Sequence, residues 1–241
     1  MSGGRCLTLP TWAEPGNMML SGLIALPRRL LFVVSLAGVL AGCSSVGPAL
    51  PGLPDRVELN GMPFFRGNAN HSGAMALAST LSERGVRITP GLLDPALKLP
   101  TEADNLHNSI PRVAREYGMV VYPLDAQLNA LLAQVAAGNP VLLRYTEGSV
   151  LWSEPRYALL VGYDRFKQQV LLRAGMSRRL PMAFDSFTSA WKSAGSWAVL
   201  VQGPEQLPAQ VDRQRWLDAA RETARAGQEQ AAAKAVRAVG G

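Results

Sequence analysis

The stretch MVVYPLDAQLNALLAQVAAGNPVLLRYT, residues 119–146, contains two hydrophobic patterns side by side. Residues 119–124 and 140–146 are short runs of apolar and aromatic side chains bounded by turn residues, which is typical of buried strands. Between them, residues 125–138 place leucine and valine at a helical spacing and end at a glycine. The stretch therefore predicts a strand, then a helix, then a second strand.

The residues that precede this stretch predict mainly helices. Residues 72–85 are rich in alanine and leucine and end at a glycine, and residues 104–118 end in the same way. Residues 88–100 contain three prolines, so we expect a loop there with at most one turn of helix. Residues 56–65 have short β-type character and are expected to open the compact domain.

The residues that follow the stretch predict mainly strands. Apolar runs over 156–164, 169–175 and 196–202 are separated by turn residues, and a short helix is expected over 184–194. Consecutive strands with short connections favour an antiparallel meander. Helices first and strands afterwards indicate the α+β class, with N-terminal helices packed on an antiparallel β-sheet.

The N-terminus predicts a secretion signal. The segment LPRRLLFVVSLAGVLAGCSS has two arginines, a short apolar run and the tetrad Leu-Ala-Gly-Cys ending at Cys43. The apolar run is too short for a membrane span, so we expect a signal peptide over residues 1–42, with a possible true start at Met18 or Met19. The tetrad resembles a bacterial lipoprotein signal, which implies a lipid on Cys43. The alternative is a plain signal peptide that happens to contain a cysteine.

By the same resemblance, the serine after Cys43 favours the outer membrane, so the expected location is the bacterial envelope, facing the periplasm. The expected partners are the membrane, through the lipid, and a peptide or another envelope protein. Removing three arginines and one glutamate with the signal leaves 21 basic and 17 acidic residues, a net charge of +4. These positive charges are scattered, which argues against nucleic acid as a partner.

Cysteine and histidine usage limits the chemistry of the mature chain. The only cysteines are Cys6, in the signal, and Cys43, so we expect neither a disulfide nor a cysteine nucleophile in the domain. The only histidines, His71 and His107, lie far apart in sequence and form no recognisable zinc pattern. No metal or other cofactor is therefore expected.

Composition divides the mature chain into three parts. Residues 43–55 are rich in proline, glycine and serine and are expected to form a tether. Residues 56–203 form the α+β domain. Residues 204–241 are rich in alanine, glutamine and arginine and predict one helix on each side of Gly227. This pair resembles a single tetratricopeptide-type hairpin, and the alternative is an amphipathic tail that packs on the domain or frays.

Several motifs together carry a resemblance to a known family. They are RVELNGMPFFRGNANHSGAMALASTL (56–81), AAGNPVLL (136–143) and RYALLVGYD (156–164). With them, the chain resembles envelope lipoproteins of the bacteriocin-leader (double-glycine) peptidase-like family, within the papain-like superfamily, over roughly residues 53–238. The resemblance implies a papain-like fold followed by tetratricopeptide-like helices.

The family's catalytic residues are substituted in this chain. The resemblance implies a cysteine at the start of a helix, a histidine on a strand, a polar residue that orients the histidine, and a glutamine that assists the oxyanion. The corresponding positions hold Ser72, Arg156, Ala174 and Gly67. The resemblance therefore implies a peptidase-like scaffold with a degenerate site.

Ser72 has two possible roles. It can cap the helix that it begins, or it can act as a serine nucleophile. A hydroxyl nucleophile needs a positioned base, and the only imidazoles are His71 and His107. The alternative for both histidines is an exposed or structurally satisfied side chain.

Arg156 and its neighbours are a candidate ligand cleft. An arginine binds carboxylates and phosphates; the alternative is that Arg156 pairs with Glu154 or Asp164, or simply faces solvent. Trp152 and Tyr157 either line a groove for an extended peptide or pack in the core. Three functions follow: a non-catalytic binding module with His71 at its cleft, a hydrolase that uses Ser72, or an adaptor that acts through its tail helices.

Overall fold

A computed structural model of the chain describes residues 52–149 and 152–240, all within one compact unit that spans residues 47–241. The signal peptide, Cys43 and most of the tether lie outside the described residues, so those predictions stay predictions. No helix in the described ranges is long and apolar enough to cross a membrane.

The described strands form one antiparallel sheet in the order β2-β7-β3-β4-β5-β6, with β1 paired to the end of β4. The strands are β1 (Arg56–Glu58), β2 (Val120–Pro123), β3 (Val141–Ser149), β4 (Trp152–Asp164), β5 (Gln169–Ala174), β6 (Ser177–Ala183) and β7 (Ala198–Gln202).

Seven α-helices flank this sheet in the described part of the chain, which confirms the α+β prediction. They are α1 (Ser72–Glu83), α2 (Pro90–Leu97), α3 (Leu106–Glu116), α4 (Leu128–Ala136), α5 (Phe184–Ser193), α6 (Arg213–Arg225) and α7 (Glu229–Ala238). Short 3₁₀ turns at Ala69–His71 and Ala103–Asn105 lead into α1 and α3.

The sheet separates two hydrophobic cores, and β4 contributes to both. Tyr157 and Leu159 pack with the helices α1–α3 on one face. Ala158 and Leu160 pack with α4–α7 on the other face. This alternation follows from the two-residue period of a strand. It explains why β4 is a nearly continuous apolar run, as expected for a strand that is buried on both faces.

Two elements differ from the prediction. Residues 90–97 form the helix α2 rather than a loop, because Pro90 fits the first helical turn and Leu93 and Leu97 are fully buried. The strand β6 has no counterpart in the prediction. It is an edge strand with mostly exposed side chains and a proline at residue 181, so it lacks the apolar run that marks a buried strand.

The C-terminal hairpin of α6 and α7 packs against β2 rather than standing apart. Trp216 is fully buried, and its indole N–H donates to the carbonyl of Ala235 at 2.8 Å. The Thr223 hydroxyl donates to the carbonyl of Met119 at 3.1 Å, next to β2. The hairpin is thus part of the core of the domain, and its likeness to a tetratricopeptide-type unit stays a prediction.

Candidate functional site

Ser72 is the first residue of α1, lines the candidate cleft and is only 5% exposed. The preceding 3₁₀ turn runs directly into the helix, so Ser72 already has helical backbone angles (φ −55°, ψ −38°). Its hydroxyl oxygen accepts a hydrogen bond from the backbone N–H of Tyr157 at 3.2 Å. The capping role is therefore wrong, because an N-cap residue needs an extended backbone and an oxygen directed to its own helix.

The Tyr157 N–H needs this partner because β5 does not extend alongside this part of β4. β5 pairs with β4 only from Leu159 onwards, opposite Arg173, and it turns away towards β6 after Ala174. The edge of β4 before Leu159 therefore lacks a strand partner on that side. A buried amide without a hydrogen bond is costly, and the Ser72 hydroxyl replaces the missing strand at that point.

Arg156 lies on the other face of β4, directly across from Tyr145 on β3. Its side chain is 17% exposed and forms ion pairs with Glu154 and with Glu147, the latter at 3.5 Å. Asp164 is not a partner, because it lies at the far end of the strand and accepts the backbone N–H of Lys167. Of the predicted alternatives, the ion pair with Glu154 is therefore the one observed.

Tyr145 is buried beneath this charge cluster. Burial raises the pKa of its phenol well above the usual value, and the nearby Glu147, which accepts its hydrogen bond, raises that pKa further. The positive charge of Arg156 opposes the shift only in part. Tyr145 therefore keeps its proton at neutral pH and is not available as a base.

The four positions that correspond to the family's catalytic residues lie together in space. Gly67, Ser72, Arg156 and Ala174 all line one cavity of about 360 Å³. A second opening of about 260 Å³, between β4 and the start of α3, also reaches Ser72. The sequence motifs thus identified residues of one cleft, although they are as much as 107 positions apart in the chain.

Neither histidine hydrogen bonds to Ser72 in the described structure. The Nδ1 atom of His71 lies 3.2 Å from a carboxylate oxygen of Asp94 on α2. The Nδ1 atom of His107 is buried and has no hydrogen-bond partner among the described residues. In the described structure, the Ser72 hydroxyl therefore makes no hydrogen bond to an imidazole that could accept its proton.

Of the two aromatic residues predicted to line the cleft, Tyr157 and Trp152, the structure describes the side chain of Tyr157 alone. The Tyr157 ring is 2% exposed and packs edge-on against the Trp197 ring, with 5.7 Å between the ring centroids. Tyr157 is therefore mainly a core residue that also forms part of the cavity wall. Trp152 is the first residue of β4, and its side chain lies outside the described part of the structure.

Arg173 shapes the cleft, and the sequence analysis did not single it out. It is only 7% exposed, and its guanidinium donates to the carbonyls of Leu59, Asn60, Met62 and Pro63 in the segment that leads to Gly67. Burial, with a smaller contribution from Arg178, lowers its pKa, and Glu58 opposes the shift. A lone arginine within the apolar run VLLRAG was the available signal for a buried polar role.

The described residues contain no cluster of three or more histidine, cysteine, aspartate or glutamate side chains that could hold a metal ion. The polar side chains that line the cleft include those of Ser72, Tyr145, Arg156 and the two glutamates Glu147 and Glu154. This set can bind polar groups of a ligand. Among the described residues, the Ser72 hydroxyl oxygen accepts from the Tyr157 N–H and makes no hydrogen bond to any of these side chains.

No protein-family model and no curated protein matches the chain. Among solved structures, a protein described as a C39-like peptidase from Bacillus anthracis aligns with a TM-score of 0.50 and 15% identity, over 61% of this chain and 98% of that one. The chain has the fold of a C39-like peptidase.

Two further solved structures align with this chain at lower scores. The peptidase domain of Streptococcus ComA, a bi-functional ABC transporter of a quorum sensing pathway, aligns with a TM-score of 0.45 and 16% identity, over 58% of this chain and 98% of that one. Xylellain, a cysteine protease from Xylella fastidiosa, aligns with a TM-score of 0.47 and 10% identity, over 64% and 87% of the two chains.

Proposed function

We propose that this protein is a lipid-anchored component of the bacterial envelope whose C39-like domain binds a peptide or protein segment without cleaving it. One observation carries the proposal. An open cavity of about 360 Å³ persists beside Ser72, while the Ser72 hydroxyl is engaged by the Tyr157 N–H and has no base next to it.

The loss of catalysis is supported by the chemistry of the substituted positions. Almost no serine hydroxyl is ionised at neutral pH, so a serine nucleophile depends on a neighbouring base. Arg156 cannot accept a proton, and Ala174 has no polar atom that could orient a base. His71 is engaged with Asp94 instead. Among the described residues, the Ser72 hydroxyl makes no hydrogen bond to a side chain that could act as a base.

The charge at the cleft indicates which ligands fit. Glu147 and Glu154 place two carboxylates around the guanidinium of Arg156, so these three side chains together carry a net charge of about −1. This arrangement opposes the earlier hypothesis that Arg156 binds a carboxylate. The rim instead favours a segment that presents an amino or guanidinium group.

Strand addition along β4 is disfavoured beside Ser72. The Tyr157 N–H is already bonded to Ser72, and Pro155, two residues earlier on the same edge, has no N–H to offer. An extended ligand would therefore find few free donors on that edge. We propose that side-chain contacts in the cavity, rather than main-chain pairing, hold the ligand.

A rescue experiment tests the loss of catalysis. The double variant Ser72→Cys/Arg156→His restores a thiol and an imidazole at the two positions. We expect its thiol to react with iodoacetamide at pH 6–7 faster than the thiol of Ser72→Cys alone, because both positions line the same cavity and a nearby imidazolium lowers a thiol pKa. Wild-type protein should leave a peptide library intact by mass spectrometry. Wild-type cleavage that disappears in Ser72→Ala would overturn the proposal.

The lipid on Cys43 needs a separate test. Intact mass of the protein extracted from membranes should show an acylated N-terminal Cys43, and Cys43→Ser should release the chain to the soluble fraction. If the wild-type protein and the Cys43→Ser variant have chains of the same length and neither carries a lipid, lipid anchoring is contradicted. This outcome would leave the proposal of a non-catalytic cleft in place.

The adaptor alternative, in which the tail helices recruit partners, needs surface substitutions rather than a deletion. Deleting residues 204–241 would remove the buried Trp216 and unfold part of the core. Val236 is 47% exposed on α7, so Val236→Lys changes the outer face without opening the core. Loss of partners in this variant, with the cleft intact, would favour the adaptor role.

A further inference from the structure

The turn between β4 and β5, residues 165–168, presents an unusual side chain to solvent. Phe166 is 82% exposed, more than any other large hydrophobic side chain in the described structure. Arg165 precedes it and the exposed Lys167 follows it. Lys167 has no ion-pair partner in the described ranges. The tip of this hairpin thus combines an aromatic ring with basic groups.

The N-terminal tether enters the domain beside this turn. The backbone N–H of Arg165 donates to the carbonyl of Asp55 at 2.8 Å, and its guanidinium donates to the carbonyl of Leu53 at 2.9 Å. Arg165 also pairs with the Asp55 carboxylate at 3.2 Å. Immediately afterwards in the chain, β1 begins at Arg56, whose backbone lies opposite that of Asp164 at the end of β4 in the antiparallel sheet. The same residue, Arg165, therefore holds both the tether and the turn.

The length of the tether limits how far this turn can be from a lipid at Cys43. Nine residue steps separate Cys43 from Gly52, and an extended chain covers at most about 3.5 Å per step, or about 30 Å in total. Of the described residues, those around Gly52–Asp55 are closest to the lipid along the chain. The turn that contacts them therefore lies on the side of the domain that a lipid anchor would draw to the bilayer.

We propose that the 165–168 turn is a second membrane contact, in which Phe166 enters the interfacial region of the bilayer and Lys167 meets anionic headgroups. The inference rests on the proposed lipid at Cys43. Aromatic rings favour the membrane interface, and basic residues are attracted to anionic lipid surfaces. A single exposed aromatic ring binds a bilayer weakly, but a lipid anchor on the same chain keeps it at the surface.

This contact gives the domain a defined orientation. Arg156 at the cleft and Asp164 beside the turn lie eight residues apart on β4, which corresponds to about 26 Å along the strand. Phe166 at the membrane therefore directs the cleft away from the bilayer. The cleft would then face ligands in the aqueous compartment rather than in the lipid.

Spin labels on the full lipidated chain test this contact. We introduce Phe166→Cys and, as a matched control, Met176→Cys, an exposed apolar residue in the turn at the other end of β5. Both are made in a Cys6→Ser background and reconstituted in phosphatidylethanolamine–phosphatidylglycerol vesicles. We expect the label at 166 to collide several-fold more with oxygen than with a water-soluble nickel chelate. The label at 176 should show the opposite preference.

The outcomes separate the turn from the anchor. A vesicle-bound chain whose label at 166 is as accessible to nickel as the label at 176 overturns the turn contact and leaves the anchor standing. A chain extracted from cell membranes that carries no lipid on Cys43 overturns the anchor, and with it the turn contact, which rests on that anchor.

A distance measurement adds an independent readout of the orientation. Energy transfer from a dye at Met176→Cys to acceptor lipids should increase when Phe166→Ser is added, because the cleft is no longer held away from the bilayer. Transfer that does not change in this variant contradicts the orientation.

Discussion

Replacing Ser72 by alanine removes the acceptor that satisfies the Tyr157 N–H at the point where β5 leaves β4. Both residues are at least 95% buried, so water does not readily replace the lost hydroxyl. A buried amide left without a partner costs about 1–3 kcal/mol. The better helix propensity of alanine gives back up to about 0.5 kcal/mol. We therefore expect Ser72→Ala to lower the free energy of unfolding by about 1–2 kcal/mol.

Ser79 provides a matched control on the same helix. It is also buried, at 3% exposure, but its hydroxyl donates to the carbonyl of Met75 one turn earlier, at 2.8 Å. The helix ladder satisfies that carbonyl without the hydroxyl. Ser79→Ala therefore leaves no orphaned group, and we expect a change within about 0.5 kcal/mol of zero.

Thermal and urea denaturation measure the loss of stability, and hydrogen exchange measures the protection of the Tyr157 amide. A loss of about 2–4 °C in Tm per kcal/mol is typical of domains with 150–250 residues, so Ser72→Ala should melt about 2–8 °C lower than the wild type. The Tyr157 amide should exchange faster in Ser72→Ala than in the wild type, and its exchange rate should be unchanged in Ser79→Ala. Equal stability of Ser72→Ala and wild type, or a larger loss in Ser79→Ala, would refute the assignment of Ser72 as a partner for the strand edge.

Three further predictions concern stability. In Gly162→Ala the new Cβ would lie 2.6 Å from the Val57 carbonyl oxygen, so we expect a loss of about 1–3 kcal/mol in urea unfolding, whereas Gly61→Ala, with nothing within 4 Å, should be nearly neutral. Trp216→Ala should cost about 3–5 kcal/mol by the same assay; a smaller loss would contradict the packed tail. Above pH 10 a tyrosine ionises in the unfolded chain while buried Tyr145 keeps its proton, so wild-type stability should fall with rising pH more steeply than that of Tyr145→Phe.

The local sequence was sufficient where periodicity and punctuation agreed. Helices over 72–85, 104–118 and 125–138 correspond to α1, α3 and α4, because each segment combines an apolar face with a glycine stop. The failures lie where tertiary contacts decide. Residues 90–97 are helical because their leucines are buried by neighbouring helices, and β6 is a strand only because β5 offers it an edge.

The identities of the cleft residues were already fixed by the sequence. It determined that no cysteine stands at Ser72, that an arginine stands at 156, and that alanine and glycine stand at 174 and 67, and so it determined which chemical groups are missing. Residue identity does not depend on folding. The fold class followed as well, because helices and strands are segregated along the chain.

Only the tertiary structure decided what these residues do. Ser72 bonds to an amide 85 positions away, and Arg156 is neutralised by Glu147 across the β3–β4 pair. Arg173 binds carbonyls more than 100 positions earlier in the chain. Such partners are brought together by strand register and by the point where a strand ends. These are properties of the assembled sheet, so no local pattern in the sequence contains them.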